Sequence, residues 1–217
     1  MGRRGYAYPS VVMMVFIVFF CGPAWSLEKG DIRYTAYNIW KLKGRNMAFI
    51  NYKYRTPFIP AGTKVVIKGV EQGDYDPLKP NSGSEPSVTF TIAEDSAVDY
   101  GEKHTLQFHK KYQRSTKFLD VAQRTFGTKN FEQLTEGFSD AEKWAIRKGV
   151  LVSGMSKEAV VVSYGYPPSH RTPSLSADTW NYWASRMGRF LVTFDSSGKA
   201  VSNGHTVHSQ FFYAKQD

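Results

Sequence analysis

Two spacings of hydrophobic residues follow one another along the chain, and the change between them divides it into two regions. From residue 31 to about residue 108, short runs rich in β-branched and aromatic residues alternate with clusters of Gly, Pro, Asn and Ser. This pattern is typical of β-strands joined by turns. The predicted strands are residues 32–40, 47–54, 64–70, 88–92 and 105–108. Several short strands in so short a stretch favour a small barrel or a curled sheet.

The spacing becomes helical after about residue 113, where apolar residues recur about every four positions. Ser115 can cap a first helix, which Gly127 would end. Ser139 and Glu142 have the spacing of a capping box, in which each side chain bonds the backbone N–H of the other residue. They predict the start of a second helix, which ends at Gly149.

A third helix is predicted from Ser156 to Tyr164, because Gly165 and the two prolines shortly after it prevent continuation. Alternating strands follow, with a hairpin turn at residues 196–199. The predicted strands are residues 179–184, residues 189–195 and the stretch from residue 200 onward.

The chain is therefore predicted to be an α+β protein with four segments. Residues 1–26 form a secretory signal peptide. Residues 27–112 form a β-rich N-terminal domain, a small barrel or curled sheet for which an SH3-like form is one alternative. Residues 113–138 form a helical connector. Residues 139–217 form a domain of two helices and a three-stranded antiparallel sheet, with a C-terminal extension.

The first 26 residues have the layout of a secretory signal. Two arginines precede an apolar run at residues 11–20, and small residues stand at the positions that a signal peptidase reads before the expected cleavage after Ser26. The run is shorter than the about 20 apolar residues of a membrane-spanning helix. Two alternatives are retention of the segment as an anchor and lipidation at Cys21, although Phe20 is larger than the residue that precedes a lipidated cysteine.

Composition and motifs argue against an enzyme. The formal net charge is +9, and Cys21 is the single cysteine, so the chain after cleavage has no thiol nucleophile, disulfide or cysteine-ligated metal. None of the H-E-x-x-H, G-x-S-x-G, G-x-x-x-x-G-K and G-x-G-x-x-G patterns occurs. Ser196 and Lys199 match S-x-x-K but fall in a predicted hairpin turn, and His205 and His208 point to opposite faces of an extended segment. We expect no catalytic activity, no cofactor and no metal site.

One cluster of positive charge, Lys110, Lys111 and Arg114, is a candidate contact with anionic lipid head groups. A solvated segment between domains is the alternative interpretation of this cluster. Because export separates the chain from intracellular nucleic acid, we expect no nucleic-acid partner.

Several short motifs of the C-terminal region agree in order and spacing with one known family. They are GMSKEAV at residues 154–160, YGYP at residues 164–167, Trp180 with Tyr182, the strand at residues 190–194, and Gly198-Lys199. Over about residues 140–204 they resemble the SmpA/OmlA family, the BamE-like domain of outer-membrane β-barrel assembly lipoproteins. The resemblance implies two helices followed by a three-stranded sheet. It also implies an exported protein, periplasmic or associated with the outer membrane of a Gram-negative bacterium, whose partner is an envelope protein such as a subunit of an outer-membrane assembly complex.

The predicted C-terminal sheet suggests which residues contact a partner. The two helices can cover one face, whereas Trp183 and Leu191 fall on the opposite face, which needs a cover from the N-terminal region or from a partner protein. In the proline-rich loop at residues 167–175, His170 and Arg171 can donate hydrogen bonds to a phosphate or carboxylate, although a solvated loop is the alternative. The candidate partner contacts are Trp183, Leu191, Tyr166, His170 and Arg171.

We therefore expect a non-enzymatic cell-envelope protein that acts as a protein–protein interaction module or scaffold and is related to outer-membrane β-barrel assembly factors. Two alternatives stay open. A secreted or periplasmic enzyme inhibitor would use an aromatic sheet face, since the predicted fold of two helices and three strands resembles that of β-lactamase inhibitory proteins. A cell-wall-binding protein would use an SH3-like domain, to whose turn and strand residues 59–65 are similar.

Overall fold

A computed structural model describes residues 26–53, 57–74, 78, 83–93, 99–109 and 117–201. These residues form a mixed α+β protein, which confirms the predicted fold class. Nearly all of the expected signal peptide, including Cys21, lies outside the described residues, as do the basic cluster and the extension after residue 201. Within the described ranges, no helix has the length and apolar composition needed to cross a membrane.

The elements are as follows, in chain order. The strands are β1 (Ile32–Thr35), β2 (Ile39–Trp40), β3 (Met47–Phe49), β4 (Phe58–Ile59), β5 (Lys64–Glu71), β6 (Ser87–Ile92), β7 (Lys103–Gln107), β8 (Phe126–Gly127), β9 (Thr179–Trp183), β10 (Arg189–Phe194) and β11 (Ala200–Val201). The helices are α1 (Phe118–Thr125), α2 (Phe131–Leu134), α3 (Asp140–Lys148) and α4 (Lys157–Tyr164). The predicted strand at residues 32–40 is interrupted, because the N–H of Asn38 donates to the carbonyl of Val162 (3.1 Å) instead of to a neighbouring strand.

Six strands form one curled sheet, which confirms the curled-sheet prediction for the N-terminal region. The strand order is β3-β7-β6-β5-β1-β8; β3 and β7 are parallel, and the other pairs are antiparallel. In β6 the buried residues are Val88, Phe90 and Ile92, the period-two alternation of a sheet with one covered face. The pairing of β5 with β6 shifts register between Ile67 and Gly69, and such a bulge increases the local twist of the sheet.

The first half of the predicted connector completes this N-terminal core. The inner face of α1 is buried against the sheet, and Phe126 of β8 pairs with Thr35 of β1. The predicted helix is confirmed, but the chain continues into a strand at its C-terminal end instead of simply stopping at Gly127. Its expected cap, Ser115, lies outside the described residues.

Both predicted helix starts in the C-terminal region are confirmed by their caps. The Oγ of Ser139 accepts a hydrogen bond from the N–H of Glu142, and the Glu142 carboxylate accepts in return from the N–H of Ser139. The Oγ of Ser156 accepts from a backbone N–H in the first turn of α4. Gly149 and Gly165 follow the last residues of α3 and α4, at φ of 63° and 71° respectively.

Glu142 also joins α3 to the start of α4. The capping-box motif did not predict this second role. Its Oε1 atom accepts hydrogen bonds from the backbone N–H and the hydroxyl of Ser156, each at 2.8 Å. Burial opposes ionisation of the carboxyl group, but the donors of Ser156 and Ser139 outweigh it and lower the pKa of Glu142 to about 2. One ionised carboxylate therefore caps α3 and holds the start of α4 beside it.

The C-terminal strands form a three-stranded antiparallel sheet with the order β11-β10-β9. The alternation predicted for it is confirmed, because one face is apolar and buried in a core shared with α3 and α4. The side chains of that face are Trp180, Tyr182, Phe190, Val192 and Phe194. Leu191 lies on the opposite face and is 42% exposed.

The described residues form two apolar cores, one in an N-terminal lobe (residues 26–127) and one in a C-terminal lobe (residues 131–201). The N-terminal chain nevertheless enters the second core. Trp40 of β2 stacks on Tyr164 of α4, with ring centroids 5.0 Å apart. The side-chain amide of Asn38 donates to a carbonyl of α3 at 2.8 Å. The two lobes are therefore joined by buried contacts, and the grooves between them have walls from both.

Candidate functional site

Trp183, one of the candidate partner contacts, is covered by the chain's own N-terminal lobe. The Tyr52 ring stacks on it at a centroid distance of 5.9 Å, and the N–H of Lys53 donates to its carbonyl at 2.7 Å. His170 meets the indole edge-to-face at 5.0 Å. Of the two covers expected for Trp183, the chain's own N-terminal region is thus confirmed. With 6% of its surface exposed, Trp183 leaves little area for a partner protein.

The structure separates the other predicted contacts. Tyr166 is half-buried and lines a groove between the lobes. His170 and Arg171 are exposed on the neighbouring loop, and Leu191 is exposed on the outer face of β10; none of these three lines that groove. The anionic-surface candidates Lys110, Lys111 and Arg114 lie outside the described residues.

The groove that contains Tyr166 consists of two clefts that meet where the lobes join. The narrow part has a volume of about 120 Å³ and the wide part a volume of about 490 Å³. Four residues line both parts: Tyr37, Arg124, Tyr166 and Leu175. We call this continuous surface the seam groove. It is formed by α1, α4, the segment before β2 and the proline-rich loop.

Tyr37 and Gly165 bring the two lobes together behind the groove. The Tyr37 hydroxyl shares a hydrogen bond of 2.6 Å with the hydroxyl of Thr125 in α1, and burial raises the pKa of Tyr37 to about 12. The Tyr37 ring meets Tyr166 edge-to-face at 6.2 Å. A Cβ atom at Gly165 would lie 2.8 Å from the Tyr37 ring, so glycine is needed both for the positive φ and for this close approach.

Arg124 is placed at the junction of the two parts by the last turn of α1. Its guanidinium carbon lies 4.7 Å from the centre of the Tyr166 ring, and its Nε donates to the carbonyl of Asp120 at 3.3 Å. Among the described residues, no carboxylate lies within ion-pair distance of Arg124. Stacking on an aromatic ring is a favoured position for a guanidinium that presents its N–H groups to a ligand.

The proline-rich loop forms one wall of the groove and is fixed in place by hydrogen bonds. The carbonyl of Pro168 accepts hydrogen bonds from the N–H groups of Arg171 (2.9 Å) and Thr172 (3.0 Å). The Thr172 hydroxyl oxygen accepts from the N–H of Asn181 at 2.9 Å, which ties the loop to the edge of β9. Leu175, 41% exposed, closes the wall on the solvent side.

A buried amine lies behind the narrow part. Lys53 is 2% exposed, and its Nζ donates to the carbonyl of Ile50 at 2.9 Å and lies 5.6 Å from the centre of the Tyr37 ring. Burial lowers the pKa of Lys53 to about 7, because the charged form loses hydration. Ile50 and Tyr37 themselves line the narrow part, so this amine is one layer away from any occupant.

A second groove between the lobes is larger, with a volume of about 750 Å³. We call it the large groove; its lining includes Tyr34, Phe58, Gly62, Asp99, Phe131, Glu132 and Arg147. The Arg147 guanidinium lies over the Phe131 ring at 4.2 Å and 3.9 Å from a carboxylate oxygen of Glu132. Asp99 forms an ion pair with Lys41. Arg147, Glu132 and Asp99 of the large groove thus each lie beside an opposite charge of the protein itself.

The described residues contain one buried histidine beside an ion pair. His104 is 2% exposed, stacks on Phe90 at 5.7 Å, and has its Nε2 atom 3.9 Å from Asp99. Burial, and next the charge of Lys41, lower the pKa of His104. Within the part of the chain that the structure describes, no group of His, Cys, Asp and Glu side chains is arranged to hold a metal ion. The seam groove itself offers apolar surface and the exposed guanidinium of Arg124.

Sequence reasoning found Tyr166 but missed Tyr37, Arg124 and Leu175. Tyr37 and its partner Thr125 are 88 positions apart, so no local spacing connects them. Arg124 has the appearance of an ordinary solvated residue in the last turn of an amphipathic helix. One usable signal existed, since the polar, proline-rich loop that carries Leu175 is longer than a minimal helix-to-strand connection.

Comparison of the chain with protein-family models, with curated proteins and with solved structures finds no match in any of the three. The resemblance of the C-terminal region to the SmpA/OmlA family therefore stays a prediction from its motifs, and the site has to be interpreted from its own geometry.

Proposed function

We propose that this protein is a non-enzymatic binding protein of the cell envelope that holds a segment of a partner protein in the seam groove. The supporting observation is the continuity of the groove: Tyr37, Arg124, Tyr166 and Leu175 line both of its parts. The envelope location rests on the predicted signal peptide. The relation to outer-membrane assembly factors rests on the motif resemblance.

The build of the groove suits a protein segment. Concave sites with apolar walls and a few fixed polar groups bury the most ligand surface, and hot spots cluster in such pockets. Leu134, Phe138, Val161 and Leu175 supply apolar lining. Walls held by Gly165 and by the Thr172 contact to β9 reduce the ordering that binding would otherwise require.

Site-specific photo-crosslinking in the native host tests the proposal. The full chain would carry p-benzoylphenylalanine in place of Leu175, at the rim of the seam groove. The matched control carries it in place of Met187, which is 90% exposed in the turn between β9 and β10. We expect position 175 to crosslink one envelope protein that position 187 does not capture, and we expect Tyr166→Ala in the same chain to abolish that product. Equal products from both positions, or no product from position 175, would overturn the proposal.

A further inference from the structure

The narrow part of the seam groove contains a cation, Arg124, that has no matching anion among the described residues. Arg124 is exposed, its Nε is used by a backbone carbonyl, and no carboxylate in the described part of the chain lies within ion-pair distance. It is also the only charged residue in the described lining of this part. In the large groove, by contrast, the equivalent guanidinium of Arg147 lies beside Glu132.

From this asymmetry we infer the chemistry of the occupant, and the inference rests on the proposed function. We infer that the bound segment is an extended peptide of a partner protein, in which one acidic side chain enters the narrow part beside Arg124 and the neighbouring apolar side chains lie in the wide part.

The geometry around Arg124 fits a carboxylate. A guanidinium that lies over the Tyr166 ring and donates from its Nε to the carbonyl of Asp120 is already restrained, so less conformational freedom is lost when its two outer nitrogens bond a carboxylate in the bidentate manner. The hydroxyl of Thr172, which also lines the narrow part, accepts a hydrogen bond from Asn181 and therefore has its own proton free to donate. A volume of about 120 Å³ suits a small group such as a carboxymethyl side chain.

The wide part of the seam groove favours different side chains of the bound peptide. Its apolar residues, which include Phe138 and Val161, favour aliphatic or aromatic groups. Of its two further charged residues, Lys157 already donates to the carbonyl of Ser176 at 3.0 Å. Glu158 is exposed at the rim and would repel a second acid. One acidic residue with apolar residues beside it is therefore the pattern with the best charge match.

Selection from a random dodecapeptide phage library tests this pattern. The processed protein, purified from its host, would be immobilised as wild type, as Arg124→Gln and as Arg147→Gln. The last variant is a matched control, because Arg147 also lies over an aromatic ring, at 4.2 Å from Phe131, but in the large groove. We expect peptides with one acidic residue beside apolar residues to be enriched by wild type and by Arg147→Gln, and to be lost with Arg124→Gln.

The strongest selected peptide, labelled with fluorescein, would then be measured by fluorescence anisotropy. Replacement of its acidic residue by the amide should weaken binding roughly tenfold to a hundredfold on wild type and less than about threefold on Arg124→Gln. Arg124→Lys keeps the positive charge but not the paired N–H donors of the guanidinium. The loss of affinity measured on this variant should therefore lie between the losses on wild type and on Arg124→Gln. If Arg124→Gln does not fold, this lysine variant and Leu175→Asp carry the test.

The outcomes separate the inference from the proposed function. Peptides that bind without an acidic residue but are lost with Leu175→Asp would overturn the inference and leave the seam groove as the binding site. Peptides equally bound by Leu175→Asp, or an absence of selected peptides, would overturn both. Binding of anionic lipid vesicles at Arg124 in place of any peptide would also overturn the inference.

Discussion

The two grooves between the lobes differ in volume and in electrostatic balance, and the two properties point in opposite directions. The large groove, about 750 Å³, has Arg147 beside Glu132 and Asp99 paired with Lys41. In the smaller seam groove, Arg124 has no anion beside it in the described part of the chain, and the amine of Lys53 is buried behind the groove. Volume alone would select the large groove. Charges that the fold leaves unmatched are the better indicator of a binding site, because a partner can supply the missing group.

Both grooves arise where a glycine lets the lobes approach closely. A Cβ at Gly62, beside the large groove, would lie 2.2 Å from the backbone nitrogen of Phe131. A Cβ at Gly165, behind the seam groove, would meet side-chain atoms of Tyr37 at 2.8 Å. Both glycines have φ above 70°, so an added side chain is strained in either place.

The largest expected loss of stability follows from adding a side chain at these two glycines, and its size should differ between them. Gly62→Ala should lower the free energy of unfolding by about 4 kcal/mol, because a backbone atom of α2 cannot move away without displacing the helix. Gly165→Ala should cost about 2–3 kcal/mol, since the Tyr37 ring can shift. Gly154→Ala is the control for backbone strain alone, because nothing lies within 4 Å of its Cβ position, and it should cost about 1 kcal/mol. Urea unfolding of the three variants measures the order, and equal losses would contradict the close-approach explanation.

The second prediction is that removal of the charge from two buried lysines changes the free energy of unfolding in opposite directions. Lys53→Met should stabilise the protein by up to about 4 kcal/mol below pH 7, because it removes an amine that burial makes costly to charge. Lys41→Met should destabilise it by about 2 kcal/mol, because it leaves Asp99 without its ion-pair partner. Chemical unfolding at pH 6 compares the two variants. Destabilisation by both would contradict the difference in charge balance between the two environments.

The pH dependence of Lys53 follows from the direction of its pKa. The folded pKa of about 7 lies below the unfolded value of 10.5, so the unfolded chain binds more protons between these values. Wild-type stability should therefore fall as the pH falls from 10.5 to about 7 and then level off. In Lys53→Met this part of the slope should be absent, which unfolding midpoints across that range would reveal. An unchanged slope would assign the dependence to other groups.

The smallest expected effect concerns both grooves together. Glu142 holds α3, which carries Arg147 of the large groove, to the start of α4, which lines the seam groove. Glu142→Gln should cost about 2 kcal/mol through loss of charge-assisted hydrogen bonds. In wild type the folded pKa of about 2 lies below the usual value of 4.5, so this contribution is present above pH 4.5 and is lost as the pH falls towards 2.

Unfolding followed across pH 2–6 checks this prediction. The stability of Glu142→Gln should fall less steeply with acid than that of wild type. Glu158→Gln, at an exposed position on α4, is the matched control and should follow wild type closely. Equal acid sensitivity of Glu142→Gln and wild type would show that the hydrogen bonds between Glu142 and Ser156 contribute little to stability.

Several features that depend on a few neighbouring residues were predicted, although the short helix α2 with its capping box of Asn130 and Gln133 was missed. The capping box of Ser139 with Glu142 and the helix end at Gly165 follow from hydrogen bonds over short distances along the chain, and the structure shows both. The alternation in the C-terminal sheet was predicted for the same reason, since its faces follow from a period of two. The cover of Trp183 was narrowed to two alternatives, and the contact with Tyr52 decides between them.

The sequence by itself therefore determined the fold class, the caps of α3 and α4 and the buried face of the C-terminal sheet, because each depends on local spacing along the chain. Only the tertiary structure decided which elements meet. It placed Tyr37 beside Tyr166, joined Glu142 to Ser156 and, among the described residues, brought no carboxylate to Arg124. These relations depend on long-range packing, in which many apolar faces of similar composition compete, and the arrangement that forms buries most of them in the two cores.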